Sequence, residues 1–381
     1  MTVHPTPPLT VVIVDDSAVQ RRFLLGALTS APDFTVVGEA CNGREAVALV
    51  EQLRPAAVVM DLDLPVMGGV EAIERIMCSN ATPILVYSAF VGGLHSENAL
   101  ASLAAGAVDV LSKPGPDDIQ TLAEYAEILR VRLRMVARIR VITHPRGRLR
   151  AGALTGEAPA HNGAPGRRPL LRLPVQDVDG DPRLPPDGVK LLVIGSSTGG
   201  PQALLTVLSA LPTDLVQAVL VVQHMAEGFI PGLVGWLDSL VALPVIVGAD
   251  LQRLEAGTVT VAPSGRNLLV QDDRLRVRFT PPAAGQFHVP GIDATMASVA
   301  QALGPDAIGV LLTGMGRDGA AGLLAMRQRG AFTVGQDEAT SAVYGMPAAA
   351  AALGALERQL PIEQIGPVLC EVLAAGTASR R

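Results

Sequence analysis

The chain has 381 residues, of which 49% are hydrophobic and 17% charged, and its formal net charge is −6. This length predicts two domains rather than one core, and the composition suits α/β domains whose parallel strands are buried on both faces. The acidic balance argues against sequence-independent nucleic-acid binding, which needs a basic face.

The cysteines and the N-terminal segment indicate the compartment. Cys41, Cys78 and Cys370 are far apart and form no CxxC pair, so we interpret them as small core residues of a reduced, cytoplasmic protein. The first ten residues lack the positive charge and the apolar run of a signal peptide. Gly, Pro or charge interrupts every apolar run before it reaches the about 20 residues of a membrane span. We expect a cytoplasmic protein with no membrane insertion.

Short β-branched runs alternate with helical segments between residues 11 and 114. This alternation predicts a doubly wound parallel sheet with a ligand crevice at the carboxyl ends of its strands. A closing helix, with five arginines in its second half, is expected over residues 117–142. Residues 143–188 are rich in Pro, Gly, Arg and Asp without a sustained period, which predicts an irregular linker.

Polar side chains follow the strands of this first domain. Asp15 and Asp16 come after VVIV, and Asp61 comes after AAVVM. Because parallel strands end at one edge, these carboxylates meet, and their repulsion calls for a cation; Mg²⁺ prefers such oxygen ligands. Ser88 and Lys113 follow the next two strands and suit binding of phosphoryl oxygens. Lys113 is one of only two lysines in the chain, which favours a specific need for an ammonium there.

Residues 10–128 resemble a response-regulator receiver domain through VVIVDDSAV, VVMDLDLPVMGGVEAI, LVYSA and GAVDVLSKP, the last leading to a cis-prone Lys113–Pro114 bond. The resemblance implies a flavodoxin-like fold and a histidine kinase as phosphodonor. It also implies a role for each polar residue: Asp61 as phosphoacceptor, Asp15, Asp16 and Asp61 as Mg²⁺ ligands, and Ser88 with Lys113 as the phosphoryl switch.

A second alternating series begins at Lys190 and extends to about Leu373, which predicts a second, Rossmann-like parallel sheet. Its first strand, LLVIG, leads into the turn GSSTGG and then a helix from Pro201. A Gly-rich turn of this kind exposes a side chain at the sheet edge and directs backbone N–H groups at a ligand. Anion binding and nucleophilic attack by Ser197 are both open for this turn.

A serine nucleophile needs a base, and the base needs an orienting acid. His224 closes the strand AVLVVQH at the edge that holds Ser197, whereas His288 lies in a loop-like segment, so His224 is favoured as the base. Asp318 follows the strand DAIGVLLTG in a glycine-rich turn and is predicted to orient His224. The alternative for Asp318 is simple capping of the next helix.

Backbone N–H groups of Thr198 and Met315 are candidates for an oxyanion hole. The order Ser, His, Asp differs from the Ser, Asp, His order of α/β-hydrolases, so the G-x-S-x-G letters do not indicate that fold.

Residues 189–373 resemble the catalytic domain of chemotaxis protein-glutamate methylesterases through IGSSTGGPQAL, VVQHM, GTVTVAPSGRNLLV, HVPGIDATM, LLTGMGRDGAAGLLAMRQRGA and DEATSAVYGMP. The resemblance implies a cofactor-independent Ser197–His224–Asp318 triad. It implies glutamate methyl esters or glutamine side chains of methyl-accepting chemoreceptors as substrates, and a role in sensory adaptation.

The two resemblances leave residues 129–188 as an exit helix and linker. Together they predict an esterase that is inhibited by the unphosphorylated receiver and activated by phosphorylation. Nucleotide binding at GSSTGG is a rival hypothesis, although the P-loop lysine and the full G-x-G-x-x-G pattern are missing. A methylesterase of a non-motility pathway and a non-catalytic output, such as DNA binding, are also open hypotheses. Residues 189–373 contain no helix-turn-helix pattern or basic cluster that would favour DNA binding.

Overall fold

A computed structural model describes residues 7–88, 101–103, 105–114, 122–139, 141, 189–225, 228–283, 286 and 288–378. Two compact units divide the chain, one containing residues 7–88 and the other residues 189–378. The predicted linker over 143–188 lies outside the described residues. Within the described residues, none of the helices combines the length and the apolar character needed to cross a bilayer.

The first unit contains a five-stranded sheet with the strand order β2-β1-β3-β4-β5. The pairs β1/β2, β1/β3 and β3/β4 are parallel, and the order is that of flavodoxin-like folds, as predicted. The strands are β1 (Leu9–Val14), β2 (Phe34–Ala40), β3 (Ala57–Met60), β4 (Ile84–Ser88) and β5 (Asp109–Ser112), and the helices are α1 (Ala18–Thr29), α2 (Gly43–Leu53), α3 (Gly69–Ser79) and α4 (Leu122–Val136).

Fully buried β-branched runs form the centre of this unit. The last four residues of β1 and all of β3 are buried, because helices cover both faces of a doubly wound sheet. Helix α1 packs with α4, and α2 packs with α3. Gly69 begins α3 against the end of β3, where a Cβ would overlap the carbonyl oxygen of Asp61. This close approach allows the loop after Asp61 to turn directly into α3.

Helix α4 is shorter than the sequence predicts, and one side of it is buried. It ends at Val136 rather than near residue 142, and residues 117–121 lie outside the described part of the chain. Leu129 and Leu133 are fully buried, and Arg130 donates to the carbonyl of Ala27 in the last turn of α1 at 2.8 Å. A cation at a helix C-terminus is favourable because it opposes the negative end of the helix dipole. Arg130 therefore attaches α4 to the end of α1.

The prediction that the cysteines are core residues is wrong. Cys41 is exposed, and Cys78 and Cys370 are partly exposed. Cys41 follows β2 where the chain leaves the sheet, and its Sγ lies 3.2 Å from Oε2 of Glu45. Val289–Pro290 is the only cis peptide bond within the described residues, so the Lys113–Pro114 bond, predicted to be cis-prone, is trans.

The second unit contains a seven-stranded parallel sheet with the order β14-β13-β12-β6-β7-β9-β8 and a separate antiparallel hairpin, β10-β11. Strands β7, β9 and β8 lie on one side of β6, and β12, β13 and β14 lie on the other. The direction in which the chain adds strands to the sheet therefore reverses at β6. Ligand crevices of open α/β sheets form at such a reversal. The strands are β6 (Leu191–Ser196), β7 (Ala218–Gln223), β8 (Val245–Val247), β9 (Val259–Val261), β10 (Asn267–Val270), β11 (Val277–Thr280), β12 (Ala307–Leu311), β13 (Phe332–Gln336) and β14 (Arg358–Leu360).

The helices of this unit fall between the strands, as the alternating pattern predicts. Helix α5 begins at Gly200 and contains Pro201 in its first turn, where a missing N–H costs nothing. The helices are α5 (Gly200–Leu208), α6 (Ile230–Asp238), α7 (Ile292–Leu303), α8 (Ala320–Gln328), α9 (Met346–Ala352) and α10 (Ile362–Ala378).

Helices α7 and α8 pack closely because Gly322 has no side chain. A Cβ at Gly322 would lie 2.7 Å from Cβ of Met296 and 2.8 Å from the carbonyl oxygen of Asp293. Neither atom belongs to the flexible end of a side chain, so an added methyl group forces the two helices apart.

We expect Gly322→Ala to lower the free energy of unfolding of the second unit by about 1–3 kcal/mol, the usual cost of overpacking. Urea unfolding followed by the fluorescence of Trp236, the only tryptophan, measures this change. The control is Gly235→Ala in α6, where no atom lies within 4 Å of the added Cβ. That substitution is expected to stabilise by about 0.5–1 kcal/mol through helix propensity. Equal midpoints for the two variants contradict the packing argument.

Candidate active site

Three carboxylates of the first unit lie together at the carboxyl edge of its sheet. One oxygen from each of Asp15, Asp16 and Asp61 lies within 4.8 Å of the others. Asp15 and Asp61 are buried, whereas Asp16 is exposed. Asp15 accepts from the N–H of Ser17 at 2.9 Å, and Asp61 accepts from the N–H of Leu62 at 2.8 Å. This all-oxygen, strongly negative donor set fits a hard divalent cation such as Mg²⁺.

The other predicted residues of this unit also lie at strand ends. Ser88 is the last residue of β4 and is buried, and Lys113 directly follows β5. Burial, and then the negative charges of Asp15 and Asp61, raise the pKa of Tyr87, which precedes Ser88. The raised pKa is consistent with a negative potential at this edge.

The sheet of the second unit places Ser197 and His224 next to each other. Strands β6 and β7 pair in parallel to their last residues, Ser196 and Gln223, so the next residue along each strand direction is Ser197 or His224. Ser197 is 5% exposed, and its N–H donates to the carbonyl of Thr313 at 3.0 Å. Gly199 then turns the chain into α5 with φ of 75°, a conformation that strongly favours glycine.

His224 is hydrogen-bonded to Asp318. The distance from Nε2 of His224 to Oδ2 of Asp318 is 2.8 Å, and the His224 side chain is 6% exposed. Nδ1 of His224 is buried and has no hydrogen-bond partner within the described residues. With the proton on Nε2, the lone pair of Nδ1 is available to accept a proton.

Asp318 is fixed by backbone N–H groups as well as by His224. It accepts from Ile292 at 2.8 Å and from Asp293 at 2.9 Å, both in the first turn of α7, and from Gly319 at 3.0 Å. Burial raises the pKa of Asp318, but the hydrogen bonds from His224, Asp293 and Ile292 outweigh burial and lower it below its usual value. Asp318 therefore faces the imidazole as an ionised carboxylate. Asp318 thus caps the N-terminus of α7, and it also accepts the hydrogen bond from Gly319 that the sequence predicts for a cap of the next helix.

The structure adds His288 to this group. Its ring stacks on that of His224, with centroids 4.6 Å apart and an interplanar angle of 13°. The sequence interpretation set His288 aside because its segment has no regular pattern. The signal that remained was its position four residues before α7, the helix that binds Asp318.

The loop after β12 lies against Ser197. A Cβ at Gly314 would be 2.7 Å from Cβ of Ser197, so a glycine is required for this approach. The N–H of Met315, the next residue, makes no hydrogen bond within the described residues. The hydroxyl of Thr313 donates to the carbonyl of Thr198 at 3.0 Å and ties this loop to the turn after Ser197.

Comparisons with known proteins identify families for both parts of the chain. The sequence model of the CheB methylesterase family matches residues 192–369, and that of the response regulator receiver domain matches residues 11–124. A Paramagnetospirillum magneticum relative named protein-glutamate methylesterase/protein-glutamine glutaminase 3 is 40% identical over 372 residues, which are 97% of this chain and 98% of that protein. The protein named protein-glutamate methylesterase/protein-glutamine glutaminase 2 of Anaeromyxobacter dehalogenans is 39% identical, covering 96% of this chain and 97% of that one.

A solved structure is also similar to part of this chain. The Thermotoga maritima CheB methylesterase catalytic domain is 33% identical, with a TM-score of 0.46, and the match covers 48% of this chain and 98% of that chain.

The receiver-type sheet with its acidic cluster, joined to an α/β unit with a Ser, His and Asp cluster, defines a response regulator with an enzymatic output domain. The similarity over nearly the whole length is more specific. The chain belongs to the CheB methylesterase family.

We expect Asp318→Ala to destabilise the second unit by about 1–3 kcal/mol at pH 7, because it leaves buried N–H groups of α7 without an acceptor. Since the pKa of Asp318 is lowered on folding, its contribution is complete above the unfolded-state pKa of about 3.9 and is lost as the pH falls through the folded-state pKa. The difference between wild type and variant therefore shrinks in acid. Trp236 fluorescence in urea measures it.

The control for this prediction is Asp214→Ala, which changes the net charge equally at an exposed position. A loss of stability as large as that of Asp318→Ala contradicts a specific role for the capping contacts.

Proposed function

We propose that this chain hydrolyses glutamate methyl esters on methyl-accepting chemoreceptors and deamidates glutamine side chains there, in the cytoplasm, as a step of sensory adaptation. The names of the relatives describe both activities for those proteins. The observation that carries the proposal is the hydrogen bond between Asp318 and Nε2 of His224. It leaves Nδ1 of His224 without a hydrogen-bond partner within the described residues. His224 follows β7, which pairs with the strand that leads to Ser197.

Acyl transfer to Ser197 accounts for both activities. Oγ of Ser197 attacks the side-chain carbonyl while Nδ1 of His224 takes its proton, and Asp318 stabilises the imidazolium. The N–H groups of Thr198 and Met315 stabilise the oxyanion. His224 then protonates the leaving methanol or ammonia, and an acyl-enzyme forms. Water, deprotonated by His224, attacks this ester, and the glutamate carboxylate leaves as Ser197 regains its proton.

We expect Ser197→Ala to lower kcat by at least about 10⁴-fold, because no other group in the triad replaces the nucleophile. Release of labelled methanol from methyl-labelled receptors of the same cell measures the reaction. Ser209→Ala, at the exposed C-terminal end of α5, is the matched control and retains full activity. Near-normal hydrolysis by Ser197→Ala disproves the proposed mechanism.

The proposal extends to regulation by the receiver, with domain limits of 10–128 for the receiver, 129–188 for the exit helix and linker, and 189–373 for the esterase. A histidine kinase phosphorylates Asp61, and Ser88 and Lys113 bind the phosphoryl oxygens. Asp15, Asp16 and Asp61 would hold Mg²⁺, which neutralises the charge of the incoming phosphoryl group. The burial of Asp15 and Asp61 together supports a site that needs a cation.

We expect a small-molecule phosphodonor such as acetyl phosphate, with Mg²⁺, to raise the methanol-release rate of the full chain, because phosphorylation replaces the single carboxylate charge of Asp61 with a phosphoryl group that carries about −1.5 to −2 charges and new acceptor oxygens. Asp61→Asn removes the acceptor and is expected to abolish the response, as is chelation of Mg²⁺. Asp63→Asn, at an exposed position two residues further on, is expected to respond like wild type. Equal stimulation of wild type and Asp61→Asn rules out Asp61 as the acceptor.

A further inference from the structure

A buried side-chain amide lies between the two strands that lead to Ser197 and His224. Gln223, the last residue of β7, is 1% exposed. Its Nε2 donates to the carbonyl of Ser197 at 2.9 Å and to the carbonyl of His224 at 2.8 Å. Its Oε1 accepts from the hydroxyl of Ser196 at 2.6 Å. One amide thus joins the backbone of the serine to the backbone of the histidine.

The surrounding groups allow only one orientation of this amide. Carbonyl oxygens only accept hydrogen bonds, so the NH₂ group faces the carbonyls of Ser197 and His224. The amide oxygen then faces the Ser196 hydroxyl, which donates. The flip state of Gln223 is therefore fixed by its partners, and both ends of the amide are satisfied although the side chain is buried.

The backbone leaves room for this amide at Gly200. A Cβ on Gly200 would overlap Oε1 and crowd Cδ of Gln223. The first residue of α5 is therefore kept small for the amide, which links the Gly-rich turn after Ser197 to the residue before His224. A second tie runs beside it, since the N–H of His224 donates to the carbonyl of Ser196 at 3.0 Å.

We propose that Gln223 is a positioning residue that keeps the nucleophile and the base in register. The backbone pairing of β6 with β7 ends at Ser196 and Gln223. The Gln223 side chain extends the connection between the two strands by one residue, to Ser197 and His224. Within the described residues, the hydrogen bonds of the Gln223 side chain go to two backbone carbonyls and to the Ser196 hydroxyl rather than to the Ser197 hydroxyl or the imidazole. The inference rests on the proposed esterase function, in which a misplacement of about 1 Å costs about 10²-fold in rate.

Gln223→Glu in the full chain tests this role. Glutamate keeps the shape and the oxygen that faces Ser196 but puts an oxygen in place of the NH₂ donor. We expect kcat for methanol release from methyl-labelled receptors to fall by about 10- to 100-fold, with KM within about twofold of wild type. The rate at which a fluorophosphonate labels Ser197 is expected to fall by a similar factor, because labelling needs an activated serine but no receptor binding.

Gln217→Glu is the matched control. Gln217 directly precedes the same strand at its opposite end and is also buried, at 5% exposed. This variant therefore carries the general cost of placing a carboxylate in the sheet, measured by thermal unfolding, and is expected to label at the wild-type rate. A wild-type labelling rate for Gln223→Glu, or an increase of KM alone, overturns the proposal. So does a loss of labelling equal to that of Gln217→Glu.

Ser196→Ala decides the matter if Gln223→Glu does not fold. It removes the hydroxyl that orients the amide and adds no charge, and we expect labelling of Ser197 to slow at least about threefold. An unchanged rate overturns the proposal. The labelling assay also separates the two hypotheses: if wild type labels but releases no methanol from receptors, the proposed substrate is wrong, and the effect of Gln223→Glu on labelling still tests the positioning role.

Discussion

The N-terminus of α7 binds the Asp318 carboxylate, and the geometry of the Ser197 site depends on this contact. Two N–H groups of the first turn donate to it, so an acid that burial would neutralise stays ionised and aimed at His224. Asp293, in that first turn, accepts in return from Gly322 in the first turn of α8 at 2.7 Å. N–H groups at the start of α7 thus donate to Asp318, which precedes α8, and an N–H group at the start of α8 donates to Asp293 of α7. These reciprocal hydrogen bonds require the close packing of the two helices at Gly322.

Much of this arrangement was predictable from the sequence because strand ends are visible as pattern changes. The buried runs before Asp15, Asp61 and Ser197 are short, β-branched and followed by glycine or acid, and a parallel sheet brings such positions to one edge. Position along a strand was therefore enough to group the carboxylates in one unit and Ser197 with His224 in the other. The confirmed fold class follows from the same alternation.

The remaining features depend on contacts that no local pattern encodes. His288 stacks on His224 only because its irregular segment returns to the sheet edge. Asp318 also caps α7, a helix that precedes it in the chain, and this contact was not predicted, although the sequence did indicate its place beside His224 and, as the alternative, the cap of the next helix. In the sequence, Gln223 is indistinguishable from any other residue of the strand before His224, so its hydrogen bonds were not predicted. The prediction that the cysteines are buried was wrong because it rested on residue type alone. Cysteine is usually buried, whereas Cys41 lies where β2 has already ended and is exposed.

The parallel pairing of β6 with β7 up to Ser196 and Gln223 has an evolutionary consequence. The spacing between the backbones of Ser197 and His224 follows from the interstrand distance of about 4.8 Å, which the hydrogen-bond ladder of the sheet maintains. Surface loops tolerate changes of length and composition better than strands do, so the range of accepted targets can change while this strand pairing stays constant.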